Sequence, residues 1–358
     1  MPSKMRRFRQ VIAFLLGFLL LAACGERDRY VRIQGYAQGG TYSVTLNLRG
    51  VRTPPERIRL AVDSILTSID TTLSGYNKGS QLSRFNRGET IRPNALFLDM
   101  YREAYRWYER TEGAVDCAAG PLFDAWGFGF KTDSLPGPET VSALLGSCGM
   151  RHLPPELVPS EEGTLRAPEG VVLNYNAIAQ GTSCDRVAAY LDGIGVKDML
   201  VDIGEIWCRG VNPDGRPWSV GIDRPVDGND RPGADLQAVL SAGDTPCGIV
   251  TSGNYRKFYV RNGRKYAHTI DPRTGYPAEN ELLSATVVAR DEAGAAYPGT
   301  GATADAVATW CMVIGLEKAQ ELLSSTPGLS GCLVYTDSTG AMREWASPAL
   351  ILRTTSPQ

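Results

Sequence analysis

The fold class turns on Trp218 to Gly263, "WSVGIDRPVDGNDRPGADLQAVLSAGDTPCGIVTSGNYRKFYVRNG". Four short runs, "WSVGI", "LQAVLSAG", "GIVTSG" and "RKFYVRNG", are separated by Gly, Pro, Asp and Asn, and each is rich in alternating apolar and β-branched residues. No helix-length segment lies between them. A regular βαβ alternation would need one after each strand. The run "SATVVAR", Ser284 to Arg290, adds a further strand, and helical patterns flank the group, so the class predicted is α+β.

Working outward, "TYSVTLNLRG" alternates Tyr42, Val44 and Leu46 with polar positions and is predicted as a strand, with residues 24–34 as a tether before it. Pro54-Pro55 opens a helix whose Ile58, Val62, Ile65, Leu66, Ile69 and Leu73 share one face. Further helices are predicted over roughly 95–111 and 179–193, the latter leading into the strand "DMLVDIG". Residues 131–170, rich in Pro, Gly and Glu, are predicted as a partly helical excursion. After the strand-rich region come a helix over about 303–314, a second helix, and the strands "GCLVYTD" and "ALILRT". Without an internal repeat or a long linker, residues 35–352 are expected to form a single domain.

The composition, 43% hydrophobic and 21% charged, is that of a globular protein. Lys+Arg 37 against Asp+Glu 39 supplies no excess positive charge, so no nucleic acid is expected as a partner. The N-terminus is more informative. Lys4, Arg6, Arg7 and Arg9 precede a run from Val11 to Ala23 that is continuously apolar or glycine, and this run is short of the ~20 residues of a membrane span. Residues 1–23 therefore read as a secretory signal. Its end, "LAAC", resembles a bacterial lipobox. On that resemblance Cys24 would be lipidated, and the chain would be an exported, membrane-anchored lipoprotein facing the periplasm. Gly25 stands where an inner-membrane retention signal would place Asp. The other seven cysteines show no CxxC spacing, which argues against zinc, and no disulfide framework is expected.

Several segments could carry chemistry. In "TADAVATW", Asp305 and Thr309 stand at i and i+4 and share a helix face. A carboxylate and a hydroxyl so placed suit Mg²⁺, although a helix-start Asp and a Thr bonded back to a carbonyl would look the same. "NYNAIAQGTSCD" places Asn174 and Asn176 before a small-residue turn and a helix start, where backbone N–H groups favour phosphate. "GAVDCAAGPLFDAWGFG" offers Asp116 among aromatics that could be core or the wall of a heterocycle pocket. Tyr76 lies in the polar loop "LSGYNKGSQLSRFN". His268, one of two histidines, precedes "DPRTG", where Pro272 and Gly275 are strong turn residues; on these residues alone a structural side chain beside a turn is the first reading and a catalytic group the second.

Taken in order, "GTYSV", "LSGYNKGSQLSRFN", "GAVDCAAGPLFDAWGFG", "AIAQG...D", "NPDGRPWSVGI", "TSGNYRKF", "HTIDPRTGYP" and "ADAVAT" resemble the FAD:protein FMN transferase family, known as ApbE or flavin transferase, over roughly residues 35 to 350. The resemblance implies an ApbE-like domain of mixed, largely antiparallel sheets with flanking helices. It implies an enzyme that cleaves FAD, releases AMP, and joins FMN by a phosphodiester to a Thr or Ser of an exported flavoprotein domain, with Mg²⁺ as cofactor. By the same resemblance Asp305, Thr309 and the carbonyl of Ala177 would hold the metal, and His268 would be the catalytic base, with Asp271 and Arg273 shaping its loop. Tyr76 would pack on the flavin or adenine. Gln38, Ala114, Val115, Asp116, Asn174, Gln180 and His268 would contact the nucleotide. A Mg²⁺-dependent FAD pyrophosphatase and a non-catalytic FAD-binding lipoprotein are the alternatives.

This sequence departs from the family pattern at three places. Gln180 stands where the family has lysine, Asn174 where aspartate is frequent, and one glycine of "IGGE" is missing beside Glu205.

Overall fold

The computed structural model describes residues 28–128, 135–229, 231–255, 258–261, 264–267, 269–292 and 299–354. Cys24, the 1–23 signal segment and His268 lie outside the described residues.

An eight-stranded sheet forms the centre. Its strands are β1 (Tyr30–Ala37), β2 (Gly40–Asn47), β3 (Met199–Asp202), β4 (Ile206–Arg209), β7 (Cys247–Gly253), β12 (Leu282–Arg290), β13 (Leu329–Thr336) and β14 (Met342–Ala346), in that spatial order. Every neighbouring pair in it is antiparallel. Between β4 and β7 the chain makes β5 (Ser219–Asp223) and β6 (Leu236–Ser241), which join β15 (Ile351–Thr354) in a separate sheet of order β15-β6-β5. The hairpins β8 (Phe258–Arg261) with β9 (Arg264–Ala267), and β10 (Ile270–Asp271) with β11 (Tyr276–Pro277), complete the strands of the described residues.

The helices are α1 (Pro55–Leu73), α2 (Gln81–Asn86), α3 (Ala95–Arg110), α4 (Gly120–Ala125), α5 (Pro138–Ser147), α6 (Ala179–Gly193), α7 (Gly301–Ile314) and α8 (Leu316–Ser325). The strand alternation explains how they pack, because successive side chains leave opposite faces of a sheet. Trp207, Val250, Ala285, Val287 and Leu333 enter the core shared with the helices. Their neighbours Cys208, Ile249, Val288, Cys332 and Val334 enter a second core with Val220, Ile222, Ala238 and Leu240 of the small sheet. The centre of the large sheet is thus covered on both faces, and Ser284 to Ala289 are a continuous buried run for that reason.

The α+β class and the antiparallel pairing agree with expectation, and the predicted helices over 95–111 and 179–193 are found as α3 and α6. One boundary differs. Tyr30 to Gln34, expected in the tether, belong to β1, which pairs along its whole length with β2. Only Ile33 of its eight residues is buried, so this edge strand carries almost no hydrophobic alternation to read. The seven cysteines beyond Cys24 are free and buried.

Candidate active site

The N-terminal ends of α6 and α7 meet beside the large sheet. Glycine makes this approach possible. A Cβ on Gly181 would fall 2.2 Å from the Gly301 carbonyl oxygen, and one on Gly301 would fall 2.4 Å from that of Gly181. Any side chain at either position would drive the two helix starts apart.

Asp305 occupies the second turn of α7 and is only 5% exposed. Its Oδ2 accepts the Gly181 N–H at 3.0 Å. That N–H is the group a continued helix would give to the Ala177 carbonyl, and the Ala177 carbonyl receives no backbone hydrogen bond from a described residue. Burial pushes the Asp305 carboxyl up to about 7, and the charge of Asp185 pushes in the same direction against the N–H bonds of Gly181 and Gln180. No cation acts on it among the described residues. Thr309 follows one turn later on the same helix and is half-buried. Among the described residues no cluster of three or more His, Cys, Asp or Glu could hold a metal. The set here is instead one carboxylate, one hydroxyl and one carbonyl. A buried carboxylate and a backbone carbonyl, without a cation or a backbone donor among the described residues, fit a hard divalent cation such as Mg²⁺.

Two polar side chains close the same end of α6. Gln180 Nε2 donates to the Ile203 carbonyl at 3.3 Å, in the turn between β3 and β4. It lies over Gly204, which has φ +93 and whose Cβ would meet Nε2 at 2.7 Å. Gln38 stands at the tip of the β1–β2 hairpin with φ 53, and its Nε2 donates to Ser183 Oγ at 2.6 Å. Gln38, Ala177, Gln180, Asp305 and Thr309 therefore belong to the elements that meet at these two helix starts, whose positive dipole ends suit an anion.

A second group of segments adjoins the α6 entry. Asn174 donates its backbone N–H to the Cys117 carbonyl at 2.7 Å, and its side chain turns back to accept the Asn176 N–H at 3.0 Å. Ala114 and Val115 are buried. Asp116 accepts N–H groups from Ala118 at 2.8 Å and Met150 at 3.0 Å, which ties it to the excursion. Burial still pushes its carboxyl up.

The loop after His268 is firmly held. Arg273 pairs with Asp271 through two contacts of 2.9 Å, Trp126 Nε1 donates to the Gly275 carbonyl at 2.7 Å, and Tyr276 packs on the Trp126 ring. A Cβ on Gly113 would lie 3.6 Å from Arg273 Cγ, so this loop borders the Gly113–Asp116 segment. Tyr76 lies in the loop between α1 and α2 and is 66% exposed.

Sequence reasoning assigned no role to Ser183 or Asp185. Asp185, on α6, accepts the N–H groups of Gly301 at 2.8 Å and Ala302 at 2.9 Å at the start of α7. Its appearance in "AIAQGTSCD" was visible, but a bond to a helix so far along the chain has no local signature.

Comparison with known proteins follows the same outline. The sequence model of the ApbE family matches residues 38–333. The FAD:protein FMN transferase of Vibrio cholerae is 33% identical over 348 residues, covering 95% of this chain and 97% of its own length. That of Haemophilus influenzae is 30% identical, covering 89% and 91%. Among solved structures, the flavin transferase ApbE from Vibrio cholerae superposes with TM-score 0.72 at 30% identity, covering 90% of this chain and 98% of that one. The apo form of the Pseudomonas stutzeri flavinyl transferase ApbE gives 0.73 at 28% identity, covering 90% and 96%.

Proposed function

The chain belongs to the ApbE family, and from that premise we propose that it is an FAD:protein FMN transferase that modifies a flavoprotein outside the cytoplasm. The acceptor hydroxyl of a Thr or Ser attacks the phosphorus on the FMN side of the FAD pyrophosphate. The P–O bond to the AMP phosphate breaks, AMP departs with the bridging oxygen, and the hydroxyl proton passes to a base. His268 is that base, because an imidazole titrates near neutrality.

The observation that carries the reading is Asp305: a buried carboxylate held by the start of α6, with no cation paired to it among the described residues. Asp305, Thr309 and the Ala177 carbonyl would hold Mg²⁺, which offsets the charge on the pyrophosphate and the departing AMP. Gln180 supplies a neutral donor where the family has lysine, and Gln38 anchors the β1–β2 tip over the same helix. Tyr76 stacks on the ring system. Lipidation at Cys24 would anchor the domain to the membrane on its periplasmic side, where exported acceptors carrying a Ser/Thr motif are found.

The test is the intact mass of an acceptor flavoprotein domain after incubation with the chain, FAD and Mg²⁺. A gain of one FMN, absent with Asp305→Ala, supports the transferase. AMP released while the acceptor mass stays unchanged would make the chain a pyrophosphatase. FAD recovered whole and bound would make it a binder.

A further inference from the structure

α7 begins without a cap of its own, since the Thr300 side chain makes no capping bond to the helix. The cap comes from another helix. Asp185 of α6 takes the Gly301 N–H at 2.8 Å, the Ala302 N–H at 2.9 Å and the Thr300 hydroxyl at 3.4 Å. All three partners are neutral donors, and no arginine or lysine pairs with Asp185 among the described residues.

This arrangement matters because of where the cation would lie. A helix start carries roughly half a positive charge, felt within its first turn. Asp305 stands five residues into α7 and also faces the first turn of α6 through Gly181. Two positive helix ends therefore converge on a site that is to hold a cation, an arrangement that suits phosphate and opposes the metal. Asp305 answers the end of α6. We propose that Asp185 is a positioning residue for the divalent-ion site: it cancels the positive end of α7 and pins that first turn to α6, so that Asp305 stays oriented and the metal is not repelled. The proposal rests on the metal reading given above.

The experiment is calorimetric titration of Mg²⁺ into the purified full chain without FAD, alongside FAD binding measured without Mg²⁺. Asp185→Asn is expected to bind Mg²⁺ about tenfold more weakly, the effect of one charge beside a helix end, with FAD affinity held or raised, since the same helix end favours phosphate. Adding Ala302→Asp to that variant returns a negative charge to the same turn and is expected to recover most of the loss. Thr300→Ala, which leaves the carboxylate in place, is expected to bind Mg²⁺ within about twofold of the parent, since a neutral hydroxyl adds little to the field.

Unchanged Mg²⁺ affinity in Asp185→Asn overturns the proposal, as does a parallel loss of Mg²⁺ and FAD that Ala302→Asp does not recover. If Asp185→Asn does not fold, Ala302→Lys leaves Asp185 and its bonds intact while adding positive charge to the turn. It must then weaken Mg²⁺ for the proposal to stand. Mg²⁺ binding that survives Asp305→Ala would instead overturn the metal reading itself.

Discussion

At Asp305 burial and the neighbouring Asp185 raise the carboxyl, and the N–H groups of α6 lower it, with the balance near 7. An exposed Asp in the unfolded chain titrates near 3.9. The folded, metal-free chain therefore holds more protons than the unfolded one between about pH 4 and 7, and the stability tied to that proton is lost as pH rises through this window. The melting temperature of the metal-free chain is expected to fall with rising pH relative to Asp305→Asn, and saturating Mg²⁺ is expected to remove the difference; a thermal scan from pH 4.5 to 8 checks both. Gln180 carries a second prediction. Gln180→Lys restores a cation beside the nucleotide phosphates and is expected to tighten FAD binding by about 1.5–3 kcal/mol, read by flavin fluorescence. Much at this scale was legible. The i, i+4 spacing of Asp305 and Thr309 places two oxygen donors on one helix face whatever that helix packs against. Asp185 was not legible as a cap, because its partners belong to a helix more than a hundred residues later.

The elements that build the site are two helices and a hairpin, and their meeting depends on Gly181 and Gly301. Gly301→Ala would place a methyl group into the Gly181 carbonyl, a contact that only separation of the helices relieves. Overpacking of this kind costs about 1–3 kcal/mol, more where backbone must move. The variant is expected to lower the urea midpoint and to weaken Mg²⁺ binding together, since the shift displaces Asp305. Helices were the easiest elements to read, as α1 shows with six apolar residues on one stripe. β1 could not be read. It presents one buried side chain, and its existence follows from backbone pairing to β2, which periodicity does not report.

For the molecule as a whole, the large sheet separates two cores, and only the helical one reaches the candidate site. Leu240 of β6 is fully buried in the other core. Leu240→Ala is expected to cost about 2–5 kcal/mol of stability while leaving Mg²⁺ affinity unchanged, and chemical denaturation beside calorimetry would check both halves. The two-faced burial of β12 and β13 could be suspected from their unbroken apolar runs. The spatial order of the strands could not, because nothing local tells β4 to lie against β7 while β5 and β6 form their own sheet. The seating of Gln38 on Ser183 has a consequence in time. It joins the tip of the first hairpin to a helix whose neighbour, α7, lies near the far end of the chain, and contacts so distant in sequence form late and slowly. The candidate site therefore needs both ends of the chain in place: until α7 has been made and packed on α6, Asp305 and the Gly181 N–H cannot meet.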